Sequence, residues 1–190
     1  MNNYYESSYL TWELTPNKNL EFITAVFEHL EYLEENEVNT WKHAETSDYY
    51  FQQRPIGGDR PFPILDATLL ATDLQAILSS HDLAPEGEIV FVKDQQLDNY
   101  RHQIQEASCF SNPSYAIFFS SENNIVKRIW FDYDEGHSVE SNRLAMAGLL
   151  HHLGEKYALV LVDWYEKRAI DLSNKEATLQ YLKDTSPKTV

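Results

Sequence analysis

The sequence predicts a single α+β domain in which a mainly antiparallel sheet, formed by the C-terminal half, packs with four to five helices. Three observations lead to this fold class. The 190 residues are 43% hydrophobic and 13% aromatic, which is enough apolar material to build one core. Several segments repeat apolar residues at helical spacing after recognisable helix starts. Strand-like runs of aromatic and branched residues cluster in the second half.

We expect one domain over residues 1–184 and a frayed tail over residues 185–190. Five Pro and Gly residues fall within the segment from Arg54 to Pro63, which marks it as a loop. A domain boundary there would leave an N-terminal piece with too few elements for its own core. The loop is therefore expected inside the domain.

Three helices are predicted before residue 110. Thr15 and the proline after it supply an N-cap and a first-turn residue, which predict a helix from Pro16 to about Asn36. A cap at Asp66 predicts a second helix from Asp66 to about Ser79. A third covers Asp94 to about Ala107.

Two more helices are predicted towards the C-terminus. Ser138 can cap a helix that ends before Gly154, a typical residue for the position after a helix. The spacing of Ser173 and Glu176 matches a capping box, which predicts a terminal helix reaching about Asp184.

The strand predictions centre on a hairpin. Tyr115–Ser120 and Ile125–Tyr133 flank a short polar turn, as hairpin strands do. Tyr157–Trp164 is apolar on both alternating faces, which indicates a strand covered on both sides, and a Glu166-Lys167 turn leads into Arg168–Leu172. The further candidates are Glu88–Val92, Tyr9–Leu14 and Tyr49–Gln53.

The charge of the chain restricts its partners. Thirty Asp and Glu residues stand against 15 Lys and Arg residues, which gives a formal net charge of −15 at pH 7. Nucleic acids and anionic membranes attract Lys and Arg, so this charge argues against both as ligands. It favours a basic protein partner.

We expect a cytoplasmic protein. The first ten residues lack the basic and apolar regions of a signal peptide, and no stretch approaches the roughly 18 consecutive apolar residues of a membrane span. The lone Cys109 cannot form an internal disulfide, which agrees with a reducing compartment.

The first predicted helix carries an acidic stripe. At 100° per residue, Glu21, Glu28, Glu31 and Glu35 fall within an arc of about 80° beside the apolar face. The sequence between residues 19 and 40 contains no Lys or Arg to neutralise them. Such a stripe either contacts a basic surface on another protein or is a solvated face that aids solubility. Aromatic residues near the loop, Tyr49 with Asp48 beside it, are candidates for the same contact surface.

Signatures of catalysis and metal binding are weak. The run from Asp132 to Gly136 begins like a calcium loop but then lacks the later ligands, which favours a turn. The seven histidines include no pair at the H-x-x-x-H spacing, and adjacent His151 and His152 diverge around a helix. Cys109 lies in a Ser-rich connection and is expected to be a buried or inert thiol.

Carboxylates at strand ends are the remaining enzymatic candidates. Asp163 follows the most apolar strand, and Asp132 or Asp134 at the end of the neighbouring hairpin is its possible partner. A turn-leading role before Glu166-Lys167 accounts for Asp163 without any chemistry, and this interpretation is preferred.

Together these patterns predict an acidic protein-binding module rather than an enzyme, with no cofactor and no metal. Its most concrete form is an immunity protein that neutralises a basic bacterial toxin, for example a nuclease, by blocking the active-site surface. The expected partner-binding residues are Glu21, Glu28, Glu31, Glu35, Asp48 and Tyr49. Two alternatives stay open: a hydrolase that uses Asp132, Asp134 and Asp163 with or without a divalent metal, and a regulatory or structural subunit of a larger assembly.

Overall fold

The computed structural model describes residues 12–36, 69–90, 106–133, 140–164 and 166–184. The strands in these ranges are β1 (Trp12–Pro16), β2 (Ala84–Val90), β3 (Glu106–Ser111), β4 (Tyr115–Glu122), β5 (Ile125–Tyr133), β6 (Leu159–Asp163) and β7 (Arg168–Asp171). The helices are α1 (Leu20–Asn36), α2 (Ala71–Ser80), α3 (Glu140–Tyr157) and α4 (Lys175–Asp184).

The seven described strands form one sheet in the order β2-β3-β4-β5-β1-β6-β7. Every neighbouring pair is antiparallel. Together with the four described helices, this confirms the predicted α+β fold class and its antiparallel sheet. The strand β1 lies between β5 and β6, so it joins the β2–β5 part of the sheet to the β6–β7 part.

Helices cover the sheet on both faces. One core lies between the sheet and α2, α3 and α4, and its strand residues include Leu14, Ile117, Phe131 and Leu161. On the opposite face, Ile23 and Phe27 of α1 pack against β6 and the residue after it, through Val160, Val162 and Trp164. The prediction that the apolar strand near residue 160 is covered on both sides is therefore confirmed.

The β4–β5 hairpin is also confirmed, and its turn explains its register. Asn123 and Asn124 adopt φ angles of 52° and 64°, the left-handed region that asparagine tolerates better than most residues. A two-residue turn of this kind matches the twist of the two strands. The pairing then runs from Glu122 opposite Ile125 to Tyr115 opposite Tyr133, with one irregularity after Ser120.

The first helix starts later than predicted. Thr15 and Pro16 belong to β1, where they pair with Val160 and Leu159 of β6. A 3-10 turn over Asn17–Asn19 then leads into α1. Thr15 is therefore not a helix cap; its hydroxyl accepts a hydrogen bond of 2.8 Å from the side-chain amide of Asn19. Strand pairing overrides the local helix-start signal.

The second helix likewise begins at Ala71 rather than at Asp66, which lies outside the described residues. Leu70 bridges Ile125, and the carbonyl oxygen of Leu69 accepts a hydrogen bond of 2.9 Å from the amide of Val126. These contacts hold the chain extended beside the hairpin, so the helix starts only after them.

Gly154 does not end α3, which continues to Tyr157. A Cβ atom at Gly154 would lie 2.4 Å from the backbone carbonyl carbon of Leu172, so the glycine allows α3 to approach the segment before α4. The left-handed residue after α3 is Ala158, with a φ angle of 52°. The apolar periodicity of the sequence is compatible both with a helix that ends before Gly154 and with one that ends at Tyr157.

The last helix is capped by Asn174 and not by Ser173. The side-chain oxygen of Asn174 accepts a hydrogen bond of 3.0 Å from the amide of Ala177, as N-cap residues do. The hydroxyl of Ser173 instead donates to the Asp171 carboxylate at 2.7 Å. The predicted capping box is wrong by one residue.

The predicted helix from Asp94 to about Ala107 is wrong at its C-terminal end, which is the part that the structure describes. Glu106 and Ala107 begin β3, a strand with no counterpart among the predicted ones, and residues 91–105 lie outside the described part. The Glu88–Val92 prediction overlaps β2, and the Tyr9–Leu14 prediction overlaps β1. The predictions for Tyr49–Gln53, Arg54–Pro63 and the 185–190 tail fall outside the described residues.

Candidate functional site

The acidic stripe lies on the solvent face of α1. Glu21, Glu28 and Glu31 are exposed, whereas Ile23 and Phe27 on the adjoining apolar face are buried against β6. The helix is amphipathic for a simple reason: its apolar side chains recur at intervals that return them to the sheet, and the glutamates fall between them. Packing on β6 therefore fixes the direction in which the carboxylates face.

Tyr32 extends this surface and was not among the predicted contact residues. Its side chain is 61% exposed, one residue after Glu31 and one helical turn after Glu28. A helical projection places position 32 about 20° from position 21, so the same projection that identified the stripe identifies this tyrosine. An exposed aromatic ring beside carboxylates is a composition typical of protein contact surfaces.

The formally charged side chains of α1 are all negative. Glu21 lies in the first turn, where the helix dipole favours a negative charge. Glu28 and Glu31 lie further along a helix that has no Lys or Arg in its sequence. Their negative potential is therefore not neutralised within the helix and extends into solvent.

Three of the predicted partner-binding residues cannot be placed on this surface. Glu35 belongs to α1 by its backbone, and its side chain is not among those described. Asp48 and Tyr49 lie outside the described residues.

Asp163, the principal enzymatic candidate, is buried at the end of β6. Its side chain is 1% exposed. One carboxylate oxygen accepts a hydrogen bond of 2.5 Å from the Tyr181 hydroxyl, and the other accepts one of 3.0 Å from the amide of Glu166. The second contact closes the turn between β6 and β7, in which Lys167 has a φ angle of 51°.

Tyr181 connects this carboxylate to the first strand. The indole nitrogen of Trp12 donates a hydrogen bond of 2.8 Å to the Tyr181 hydroxyl oxygen, and the guanidinium of Arg168 lies 5.3 Å from the Tyr181 ring centre. Burial raises the pKa of the Tyr181 hydroxyl strongly, and its hydrogen bond to Asp163 raises it further. The Tyr181 hydroxyl therefore stays protonated and donates one hydrogen bond and accepts another in a network that joins β1, β6 and α4.

The proposed carboxylate partners Asp132 and Asp163 lie on strands that are not neighbours, and the side chain of Asp132 is not among those described. Asp132 pairs with Ala116 in the β4–β5 ladder, and β1 lies between β5 and β6. Asp134 falls outside the described residues. The calcium-like run from Asp132 to Gly136 leaves the described part after Tyr133, so its turn is not described.

Cys109 is buried in β3, 1% exposed, within a cluster that includes Ala116, Phe118 and Trp130. The prediction of a buried thiol is confirmed, and its assignment to a connection is wrong because residues 106–111 form a strand. His102 and His137, the histidines that the sequence offers as bases for this thiol, lie outside the described residues.

His151 and His152 have different partners. Nδ1 of His151 lies 2.9 Å from the carbonyl oxygen of Leu172, and Nδ1 of His152 lies 3.2 Å from Nε2 of His81. Among the residues that the structure describes, no group of three or more His, Cys, Asp or Glu side chains is arranged to hold a metal ion.

Comparisons of the chain with protein-family models, with curated proteins and with solved structures found no match. Within the described ranges, no helix is long and apolar enough to cross a membrane. The described residues show an α+β fold in which the helix α1 carries an exposed acidic face.

Proposed function

We propose that this protein binds a basic surface on another protein through the solvent face of α1. The observation that carries the proposal is the orientation of Glu21, Glu28 and Glu31, which are exposed on a helix whose other side is held by β6. A rigid helix presents these carboxylates at fixed positions, so the partner need not order them on binding.

Electrostatics supplies the long-range part of the interaction. The net charge of −15 attracts a basic partner, and the one-signed stripe orients it during the encounter. Steering of this kind raises the association rate and weakens with salt. Tyr32 supplies the short-range part, because a tyrosine ring offers a large contact area at low conformational cost.

The most concrete form of the proposal is a cytoplasmic immunity protein of bacteria that neutralises a basic toxin such as a nuclease. Toxins that act on nucleic acids need Lys and Arg around the active-site cleft to hold phosphate groups. An acidic helix that pairs with those residues occupies the surface that the substrate requires. Inhibition is then steric and electrostatic, and the inhibitor needs no chemistry of its own.

The hydrolase alternative has less support. A catalytic carboxylate must reach the substrate within hydrogen-bond distance, directly or through one water. Asp163 is 1% exposed, and its oxygens accept hydrogen bonds from Tyr181 and Glu166. These contacts account for Asp163 as a residue that stabilises the β6–β7 turn.

The test is affinity capture from native cells with three forms of the tagged protein. The first is unchanged, the second carries Glu21→Gln, Glu28→Gln and Glu31→Gln, and the third carries Glu140→Gln, Glu166→Gln and Glu176→Gln. The last set neutralises three exposed glutamates on other parts of the fold and changes the net charge equally. Capture runs at about 50 mM and about 500 mM salt.

We expect the unchanged and control proteins to retain the same basic protein at low salt and to lose most of it at high salt. The α1 variant should lose it at both. A partner that the α1 variant retains as well as the control would contradict the assignment of the surface, and a partner without excess basic charge would contradict the partner class.

A further inference from the structure

A pair of histidines joins the end of α2 to α3. Nε2 of His81 lies 3.2 Å from Nδ1 of His152, and the ring centroids are 5.5 Å apart with planes inclined at 51°. The centroid distance exceeds the nitrogen distance by about one ring width. The two nitrogens therefore lie close to the line that joins the centroids, and the rings meet head-on.

This geometry identifies the contact. Two nitrogens that bind one metal ion both point at a third position, so their rings approach at an angle. Head-on nitrogens instead form an N–H···N hydrogen bond, in which one ring donates and the other accepts. The bond exists when both rings are neutral or when one is charged. When both rings are protonated, each presents an N–H group to the other and no acceptor remains.

We propose that the His81–His152 pair is a proton-controlled latch, which holds the C-terminal turn of α2 against α3 and releases it when both rings become protonated. Both side chains are partly exposed, so protons reach them from solvent. The latch is separate from the acidic face of α1 and does not depend on the proposed function.

The charges around the pair favour the latched state near neutral pH. His81 faces His152 on α3 and Asp82 in its own turn; along α3, the exposed Glu155 and Lys156 follow His152 by one turn. Burial lowers the pKa of His81, the charge of His152 lowers it further, and Asp82 opposes both effects. Protonation of His81 while His152 is already charged is therefore unfavourable.

Three backbone hydrogen bonds in the turn after α2 can show whether that turn is released. The amides of His81 and Leu83 donate hydrogen bonds to the Leu78 carbonyl oxygen at 3.1 Å and 3.2 Å, and the amide of Asp82 donates to Ser79 at 3.2 Å. These bonds close the turn that follows α2. Their hydrogen exchange measures how often that turn opens.

The experiment measures exchange of these three amides at about pH 7 and about pH 5, expressed as protection relative to the unfolded chain. We compare the unchanged protein with a double variant, His81→Gln with His152→Asn. Glutamine places its amide near the position of Nε2 and asparagine near that of Nδ1, so the variant keeps a hydrogen bond that does not titrate. His151→Asn removes a neighbouring imidazole as a control.

We expect protection in the unchanged protein and in the His151 variant to fall by roughly tenfold between the two pH values. Protection in the double variant should stay nearly constant. An equal fall in all three proteins, or no fall in the unchanged protein, would overturn the proposal. If the double variant does not fold, NMR titration of the unchanged protein decides: coupled titration of the two rings supports the latch, and independent titration refutes it.

Discussion

The Tyr181 hydroxyl donates a 2.5 Å hydrogen bond to the buried carboxylate of Asp163, and so fastens the last helix to the end of the strand β6. The same hydroxyl accepts a hydrogen bond from Trp12, at the start of the described chain. One phenol group therefore connects the first described strand, the last helix and a buried charge. Loss of a partner for a buried charge is among the costliest changes that a fold can suffer.

Tyr181→Phe should destabilise the protein by roughly 1–3 kcal/mol, because the ring still packs while Asp163 and Trp12 lose the hydroxyl. Urea unfolding followed by tryptophan fluorescence measures the free energy. The control is Tyr32→Phe, which removes a hydroxyl from an exposed side chain and should change stability by less than about 0.5 kcal/mol. Equal effects of the two substitutions would show that the buried network contributes nothing.

The two glycines of α3 should respond to alanine with opposite signs. At Gly154 a new Cβ meets the backbone of Leu172 at 2.4 Å, so Gly154→Ala should destabilise the fold by roughly 1–3 kcal/mol. At Gly148 nothing lies within 4 Å of that position, and Gly148→Ala should stabilise the helix by about 0.5–1 kcal/mol. Guanidinium unfolding of both variants checks the prediction, and a shared sign would contradict the close packing of α3 on Leu172.

The cap of α4 offers a test between adjacent residues. Asn174→Ala should cost about 1 kcal/mol, because the amide of Ala177 loses its acceptor. Ser173→Ala removes a hydroxyl that bonds to Asp171 in solvent and should cost less. Thermal unfolding of the two variants decides the position of the cap. A larger loss of stability for Ser173→Ala than for Asn174→Ala would support the capping box at Ser173 instead.

The free energy of unfolding should decrease as the pH decreases, and part of this decrease should depend on His81. Because the folded-state pKa of His81 is lowered from 6.5, the unfolded chain binds more protons as the pH falls below that value. The full stability is present above the unfolded pKa and decreases as pH drops towards the folded one. Replacing His81 by Gln should flatten this part of the curve of unfolding free energy against pH, and an unchanged curve would refute the assignment.

The sequence predicted those elements that depend on neighbouring residues. The β4–β5 hairpin follows from two strand-like runs and a turn in which Asn123 and Asn124 tolerate left-handed angles. The amphipathic α1 follows from its periodicity. The exposure of its glutamates does not, because it depends on the packing of the apolar face on β6.

The elements that the sequence missed depend on distant contacts. Thr15 and Pro16 form a helix-start signal, and only pairing with β6 makes them part of a strand. Gly154 is indistinguishable from a helix end until Leu172 is placed against it. The His81–His152 contact joins residues 71 positions apart, and no local pattern indicates it. The position of Tyr32 on the acidic face, by contrast, follows from the helical projection alone.

The most direct test of the central claim is site-specific photo-crosslinking in native cells, with a photoreactive phenylalanine analogue at position 32 on the acidic face of α1. The same analogue at the exposed Gln75 of α2 and Gln180 of α4 provides two controls on other helices. We predict a crosslink to one basic protein from position 32 only, abolished when Glu28 and Glu31 are changed to Gln. Crosslinks to that protein from position 75 or 180, with none from position 32, would contradict binding through α1.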